Sequence, residues 1–172
     1  LSLGIEKYKD MIVEILDEIL NPKGIYERND VQIRELEGLE QKKGFLKGPF
    51  DTQIEIVENE VKMLVDIENG QKTGYFLDQR ENRAALRPLV GNARVLDTFT
   101  HTGGFALHAA HYGAREVIAV DISDHAAEYV AANAALNDLQ GKVQVVLANV
   151  FDILKEYQQR GEKFDVVILD PP

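Results

Sequence analysis

Three aspartates close apolar runs in the second half of the chain. Asp97 ends Arg94-Val95-Leu96-Asp97, Asp121 ends Glu116-Val117-Ile118-Ala119-Val120-Asp121, and Asp170 follows the run from Phe164 to Leu169. The first run leads into Thr98-Phe99-Thr100-His101-Thr102-Gly103-Gly104. Two glycines opening a helix let a ligand approach the backbone where a side chain would block it. A carboxylate at Asp121, 17 residues beyond Gly104, can accept hydrogen bonds from both hydroxyls of a ribose. Taken alone, the first feature reads as an ordinary strand-to-helix turn and the second as an N-cap aspartate. In this order, on successive strands, they describe a site for a nucleoside-containing cofactor.

The type of nucleoside follows from what surrounds the glycines. A nicotinamide or flavin cofactor wants a full Gly-x-Gly-x-x-Gly, which seats its pyrophosphate on a helix N-terminus, and that pattern is missing. A Gly-Gly step behind an acidic strand end suits S-adenosylmethionine, which carries an amino group and a sulfonium but no phosphate. Asp97 would balance its positive end. Asp170-Pro171-Pro172 then reads as a rigid, extended turn able to hold a planar base beside a reacting methyl group.

These residues need a sheet to position them. From Gln79 onward strands and helices alternate: a helix over 80–89, a strand over 94–97, a helix over 104–111, a strand over 116–121, an alanine-rich helix over 124–136, a strand over 142–147, a helix over 150–159 and a strand over 164–169. Such alternation gives a parallel sheet with right-handed crossovers. Strands apolar throughout are those covered by helices on both faces. The expected fold is therefore α/β, with ligands bound beyond the carboxyl ends of the strands. Before it, a helix over 4–20 with an apolar stripe (Ile5, Ile12, Ile15, Leu16, Ile19) reads as core-facing. Val31–Arg34, Gln53–Ile56 and Val61–Val65 read as short antiparallel strands, and the Lys42, Lys43 and Lys47 segment as a solvated loop. The predicted division is a small α+β domain over 1–78 and a cofactor-binding domain over 79–172.

Composition narrows the classes. A net charge of −10 makes general nucleic-acid binding unfavourable, because phosphate neutralisation supplies most non-specific affinity. Any RNA contact needs a local basic patch or a further segment. The chain has no cysteine, hence no disulfide and no thiolate metal site, which fits a reducing, cytoplasmic setting. It has no apolar run near the roughly 20 residues that span a bilayer. It begins at Leu1 rather than Met, and so reads as part of something longer.

Several runs then resemble the large-subunit ribosomal RNA methyltransferase I family: Lys72-Thr73-Gly74-Tyr75-Phe76-Leu77-Asp78-Gln79-Arg80-Glu81-Asn82-Arg83, Thr102-Gly103-Gly104-Phe105, Val120-Asp121-Ile122-Ser123, Asn149-Val150-Phe151, and Gly161–Asp165 leading to Asp170-Pro171-Pro172. Ile25–Asp30 and Val61–Ile67 are similar to the family's central domain. The resemblance implies a class I, Rossmann-like methyltransferase fold of which the first four parallel strands are present. It implies S-adenosylmethionine as cofactor and carbon-5 of a cytosine in large-subunit (23S) ribosomal RNA as target. It places Gln79 and Arg80 at the methionine end of the cofactor, Asp121 at the ribose, Ile122 on the adenine face and Asn149 at the adenine edge. Phe99, Thr102, Gly103, Gly104 and Val150 are counted with the cofactor site. Asp170 would contact the cytosine, with Pro171 and Pro172 on the substrate side. Asn149 departs from the family's usual Asp, and Thr98 and His101 often differ.

The resemblance also implies an RNA-binding PUA domain before this region and the rest of the catalytic domain after it. Carbon-5 of cytosine is unreactive until a thiolate adds to carbon-6, and the family's cysteine lies downstream of Asp-Pro-Pro. The chain alone is therefore expected to be inactive. Its fourth strand, central in the family's sheet, would leave an apolar edge open to self-association. Alternatives are guanine-N7 methylation of ribosomal RNA, which needs no cysteine, and a non-catalytic module binding S-adenosylmethionine or RNA. Arg80, Arg83 and Arg87 recur at helical spacing as a possible basic face for RNA, though pairing with nearby acids is the commoner outcome. His108 and His111 lack the third ligand a zinc site needs.

Overall fold

The computed structural model describes residues 3–171. They form two compact units, one running up to residue 54 and including 65–75, the other of 55–64 and the residues from 76 onward. A β-hairpin contributes to both: β3 (Gln53–Glu58) and β4 (Val61–Asp66) pair with each other. The turn between them, Asn59-Glu60, has both residues at positive φ (49° and 72°), the backbone that suits the twist of a tight hairpin.

The second unit holds a four-stranded sheet. Its strands are β5 (Arg94–Thr98), β6 (Glu116–Asp121), β7 (Val143–Leu147) and β8 (Val166–Leu169), in the order β7-β6-β5-β8. The pairs are parallel, with Thr98 opposite both Val120 and Leu169, and Asp121 opposite Leu147. The strand order reverses between β5 and β8, the position at which open α/β sheets bind ligands. Helices α4 (Arg80–Ala84), α5 (Gly104–His111), α6 (Asp124–Leu136) and α7 (Val150–Arg160) complete the unit, and a 3₁₀ turn, Leu77–Gln79, leads into α4.

Alternation along the strands feeds two core layers. Leu96, Ile118 and Val120 meet Val150, Ile153, Leu154, Tyr157 and Phe164. Val95, Val117 and Ala119, fully buried, point the other way. Against that layer α5 buries Ala106, Leu107, Ala109 and Ala110, and α6 buries Val130 and Ala134; small side chains let these helices lie close on the sheet. The hairpin tip joins this unit through Asn137, which binds both the N–H and the carbonyl of Lys62, and through Asn133, whose Oδ1 accepts from Leu64 N–H. The α/β expectation from Gln79 onward holds, except that the helix expected over 80–89 ends at Ala84 and continues as turns through Leu89.

The first unit departs further from its sequence reading. It contains α1 (Leu3–Glu6), α2 (Lys9–Leu20), β1 (Ile25–Asn29), α3 (Ile33–Leu36) and β2 (Lys42–Lys47). The expected single helix breaks at Lys7-Tyr8, and its stripe is not core: Ile15, Leu16 and Ile19 are exposed and α2 buries no residue. Val31–Arg34 is not a strand. Arg34 heads inward from α3, 1% exposed, to bond Glu6 and the carbonyl of Glu40. The lysine-rich loop is instead β2, antiparallel to β1. Polar side chains do much of the internal work here, with Glu27, Asn29 and Arg34 all buried.

Candidate cofactor site

The segment after β5 is a tight, strained turn. Phe99, His101 and Gly103 all have positive φ, at 58°, 52° and 89°. Only glycine adopts that region without a steric cost, and non-glycine residues held there cluster at functional sites. Named bonds hold the turn. Thr100 N–H donates to the carbonyl of Val120 and Gly103 N–H to that of Thr100. His101 N–H donates to Asp121 Oδ2 at 2.9 Å, Thr98 Oγ1 to the Ile168 carbonyl, and Asn133 Nδ2 to the Thr102 carbonyl.

Asp97 lies beneath this turn. It is 1% exposed, accepts from Thr100 Oγ1 at 2.6 Å, and receives the Ala106 N–H from the first turn of α5. Burial pushes its carboxyl up to about 7, against the lowering effect of those two bonds and with the help of Asp170 and Asp121 nearby. Asp121 stands higher, half-exposed at the tip of β6. Besides His101, its carboxylate accepts Ser123 N–H at 3.0 Å. A carboxylate has about four acceptor positions, so two backbone donors orient it and leave lone pairs for further hydroxyls.

The next residue, Ile122, is 69% exposed, and Ser123 caps α6 by accepting from Ala126 N–H. Asn149 caps α7, its Oδ1 accepting Phe151 N–H at 2.9 Å. Val150 turns its side chain into the core, so only its backbone can face a ligand. Gln79 and Arg80 sit at the 3₁₀–α4 junction, Gln79 half-buried and Arg80 exposed. That segment reaches the strained turn through Phe76, whose ring meets His101 edge-on at 5.2 Å between centroids. Asp170 and Pro171 follow β8 and are exposed. Pro172 lies outside the described residues.

The glycines have a reason other than ligand approach. A Cβ on Gly104 would stand 2.8 Å from Arg83 Nε, and one on Gly103 would press on Leu107 and Val130 at 3.3 Å. Protein occupies the space from within. Arg83, 3% exposed, is therefore part of no RNA-facing surface. It donates to Glu58 Oε1 at 2.7 Å and to the Phe76 carbonyl at 2.9 Å. Arg87 pairs with Glu60 and lies over the Tyr112 ring. The basic face read from helical spacing is thus not formed. His108 is buried, both ring nitrogens within 2.6 and 3.1 Å of the carbonyls of Gly104 and Glu58. Among the described residues no group of three or more His, Asp or Glu could hold a metal ion.

Residues 40–172 match the family model described as S-adenosylmethionine-dependent methyltransferase. The chain belongs to that family. It is 45% identical, over its whole length, to the ribosomal RNA large subunit methyltransferase I of Aeromonas salmonicida, of which it covers 44%; the chain thus spans under half the length of the curated relatives it matches. Among solved structures it is similar to the methyltransferase SMU.776 complexed with SAH (28% identity, TM-score 0.84, 98% of this chain and 43% of that one). It is also similar to a SAM-dependent methyltransferase from Streptococcus mutans (27% identity, TM-score 0.86, 99% of this chain and 44% of that one).

The donor set of this methyltransferase fold suits its cofactor. Asp97, Asp121 and Asp170 share one end of the sheet, close enough for the latter two to raise the first. Such a mouth repels a pyrophosphate and attracts a sulfonium and an ammonium. Two neighbours were missed by sequence reasoning. Thr100 supplies the hydroxyl that holds Asp97. Phe151, 67% exposed, has its ring 6.2 Å from that of Phe99. Phe151 stands in the Asn149-Val150-Phe151 run, where the resemblance assigned roles to the first two residues and none to the third.

Proposed function

We propose that this chain carries the S-adenosylmethionine-binding half of an enzyme that methylates carbon-5 of a cytosine in large-subunit (23S) ribosomal RNA. The observation that carries the reading is the acidic, glycine-turn mouth at the sheet's reversal point, in a chain 45% identical to a ribosomal RNA large subunit methyltransferase I. When bound, the cofactor supplies a sulfonium-activated methyl group.

The chain's own residues bind and orient it. Asp121, fixed by two backbone N–H groups, accepts the ribose hydroxyls. Ile122 offers an apolar face to the adenine. Asn149, its Oδ1 committed to Phe151 N–H, presents NH₂ donors to the adenine edge where an Asp would present acceptors. The Val150 backbone lies beside it. Phe99, Thr102, Gly103 and Gly104 form the floor, and Asp97 acts from below through Thr100 and the α5 backbone. Gln79 and Arg80 take the methionine carboxylate and amine end. Asp170, Pro171 and Pro172 take the target base.

Addition of a nucleophile to carbon-6 needs a thiolate, and the chain has no cysteine, so this polypeptide binds cofactor without turning over. The reading carries a cytoplasmic location; among the described residues no helix is long and apolar enough to cross a membrane. It also includes association of this chain through β8, whose Val167 and Leu169 are exposed at the sheet's outer edge.

Titration calorimetry with S-adenosylhomocysteine tests the site. Hydrogen bonds to a charged group contribute about 1.5–3 kcal/mol each, so Asp121→Ala should weaken binding by about 100-fold or more. Equal affinity of the two proteins would refute the assignment.

A further inference from the structure

Gln79 is the N-cap residue of α4, yet its side chain makes no bond to the backbone of that helix. A polar side chain at this position ordinarily turns its oxygen onto the first free N–H groups. Here the oxygen is engaged by another side chain: Asn82 Nδ2 donates to Gln79 Oε1 at 2.6 Å. The two residues are three apart, the spacing that puts side chains on one side of a helix. A carboxamide carries its acceptor and its two donors on opposite arms of one plane. With Oε1 held by Asn82, the Nε2 donors of Gln79 are turned away from it.

The backbone under this pair is fixed. Gln79 N–H donates to the Phe76 carbonyl at 3.2 Å, which also receives Arg83 Nη2 at 2.9 Å. Arg83 is itself buried against Glu58. Asn59 Nδ2, from the turn between β3 and β4, donates to the Arg80 carbonyl at 3.2 Å. What is left to set at Gln79 is the polarity of one side chain, and Asn82 sets it. That polarity matters because Asp78 and Glu81, both exposed, flank the turn. A carboxylate arriving beside two acids needs donors already facing it, and an amide oxygen in that place would repel it.

We infer that Asn82 is a positioning residue for the amino-acid end of the cofactor: it holds the Gln79 carboxamide with its NH₂ outward, so that the site admits a ligand carboxylate. The inference rests on the assignment of Gln79 to the methionine end in the reading above, and adds the group that fixes how Gln79 presents itself.

The test is titration calorimetry with two ligands that differ at that end. S-adenosylhomocysteine carries the carboxylate and amine; 5′-methylthioadenosine keeps the adenosine and the thioether and lacks both. Asn82→Ala frees the Gln79 side chain, which must then be ordered on binding. It should weaken S-adenosylhomocysteine by about 2- to 10-fold, the factor for immobilising one flexible side chain, and leave 5′-methylthioadenosine unmoved. Ala favours a helix more than Asn does, so α4 is retained. Asn82→Asp keeps the shape and reverses the polarity, drawing the Gln79 NH₂ towards the new carboxylate and turning Oε1 outward. It should weaken S-adenosylhomocysteine by roughly 10- to 100-fold, again without moving 5′-methylthioadenosine. In a Gln79→Ala background, Asn82→Ala should change neither affinity, because a positioning residue acts through the residue it positions.

Equal loss of both ligands in Asn82→Ala would make Asn82 a part of the turn's fold alone and overturn the inference. Unchanged S-adenosylhomocysteine affinity in both Asn82 variants would overturn it, as would a full effect of Asn82→Ala in the Gln79→Ala background. A parent chain that binds the two ligands equally would also overturn it, by removing Gln79 from the methionine end while leaving the adenosine site intact. Binding of neither ligand by the parent chain would strike the functional reading itself, and the inference with it.

Discussion

Replacing Asp97 by Asn should make this protein more stable and a weaker binder of its cofactor. The carboxyl is buried, and its pKa moves from 3.8 to about 7 on folding. Below 3.8 both folded and unfolded chains hold the proton and the group contributes nothing. Between the two values the unfolded chain ionises first, so stability falls as pH rises. Above about 7 both are ionised and the full cost remains. At about 1.4 kcal/mol per unit, the burden is about 2 kcal/mol at pH 5 and about 4 kcal/mol at pH 8. Asn is isosteric, can still receive the Ala106 N–H and can bond Thr100, but never ionises. Urea unfolding of the two proteins at pH 5, 6, 7 and 8 should show Asp97→Asn gaining on the parent by roughly 2–3 kcal/mol across that range. Binding of the cationic cofactor favours the ionised form, so S-adenosylmethionine uptake by the parent should release part of a proton near pH 7, seen as a buffer-dependent calorimetric heat, and the variant should release less. Unfolding free energies that run parallel from pH 5 to 8 would refute the reasoning.

Other substitutions separate structure from binding. Glu58→Ala leaves the Arg83 charge buried without its carboxylate and should cost about 3–5 kcal/mol in urea unfolding. Gly103→Ala forces a side chain into the left-handed region and should cost at least about 1–2 kcal/mol, read from the same transition. Ile122→Asp changes an exposed residue and should shift stability by less than about 0.5 kcal/mol while reducing S-adenosylhomocysteine affinity; unchanged affinity would remove Ile122 from the site. Incubation with radiolabelled S-adenosylmethionine and large-subunit ribosomal RNA should transfer no methyl group, and measurable incorporation would disprove a thiolate mechanism for this chain.

The parallel sheet was legible because β5 and β6 are buried on both faces, and a strand apolar on both faces needs no tertiary information to be recognised. Their acidic ends were equally plain, since Asp97 and Asp121 interrupt otherwise apolar runs. The first unit was not legible because its interior inverts the usual code. β1 turns Glu27 and Asn29 inward, so its alternation points the wrong way. Val31-Gln32-Ile33-Arg34 alternates apolar and polar as a strand would, yet it runs into α3, where the arginine is the buried residue. The stripe of α2 satisfies a helical period and still stays exposed, because period reports which residues share a side and not what covers that side. At the site itself, Asp97 was found by its position, but its burial depends on Thr100 and Ala106 closing over it. Arg83 pairs with an acid, as expected for most such arginines, but which acid was not legible, because Glu58 is 25 residues away in the chain, on an element assigned to another domain.

That distant pairing binds three positions into one evolutionary unit. Residue 104 can gain a side chain only if the guanidinium beneath it withdraws, and a shorter residue at 83 would strand the carboxylate at 58 in a dry interior. Single steps away from this arrangement pass through a folding defect, whereas a concerted exchange of all three for compact apolar residues does not. Across descendants of this sequence, Glu58, Arg83 and Gly104 should therefore persist together or disappear together, and a directed-evolution library that randomises one of them alone should return almost nothing but the starting residue.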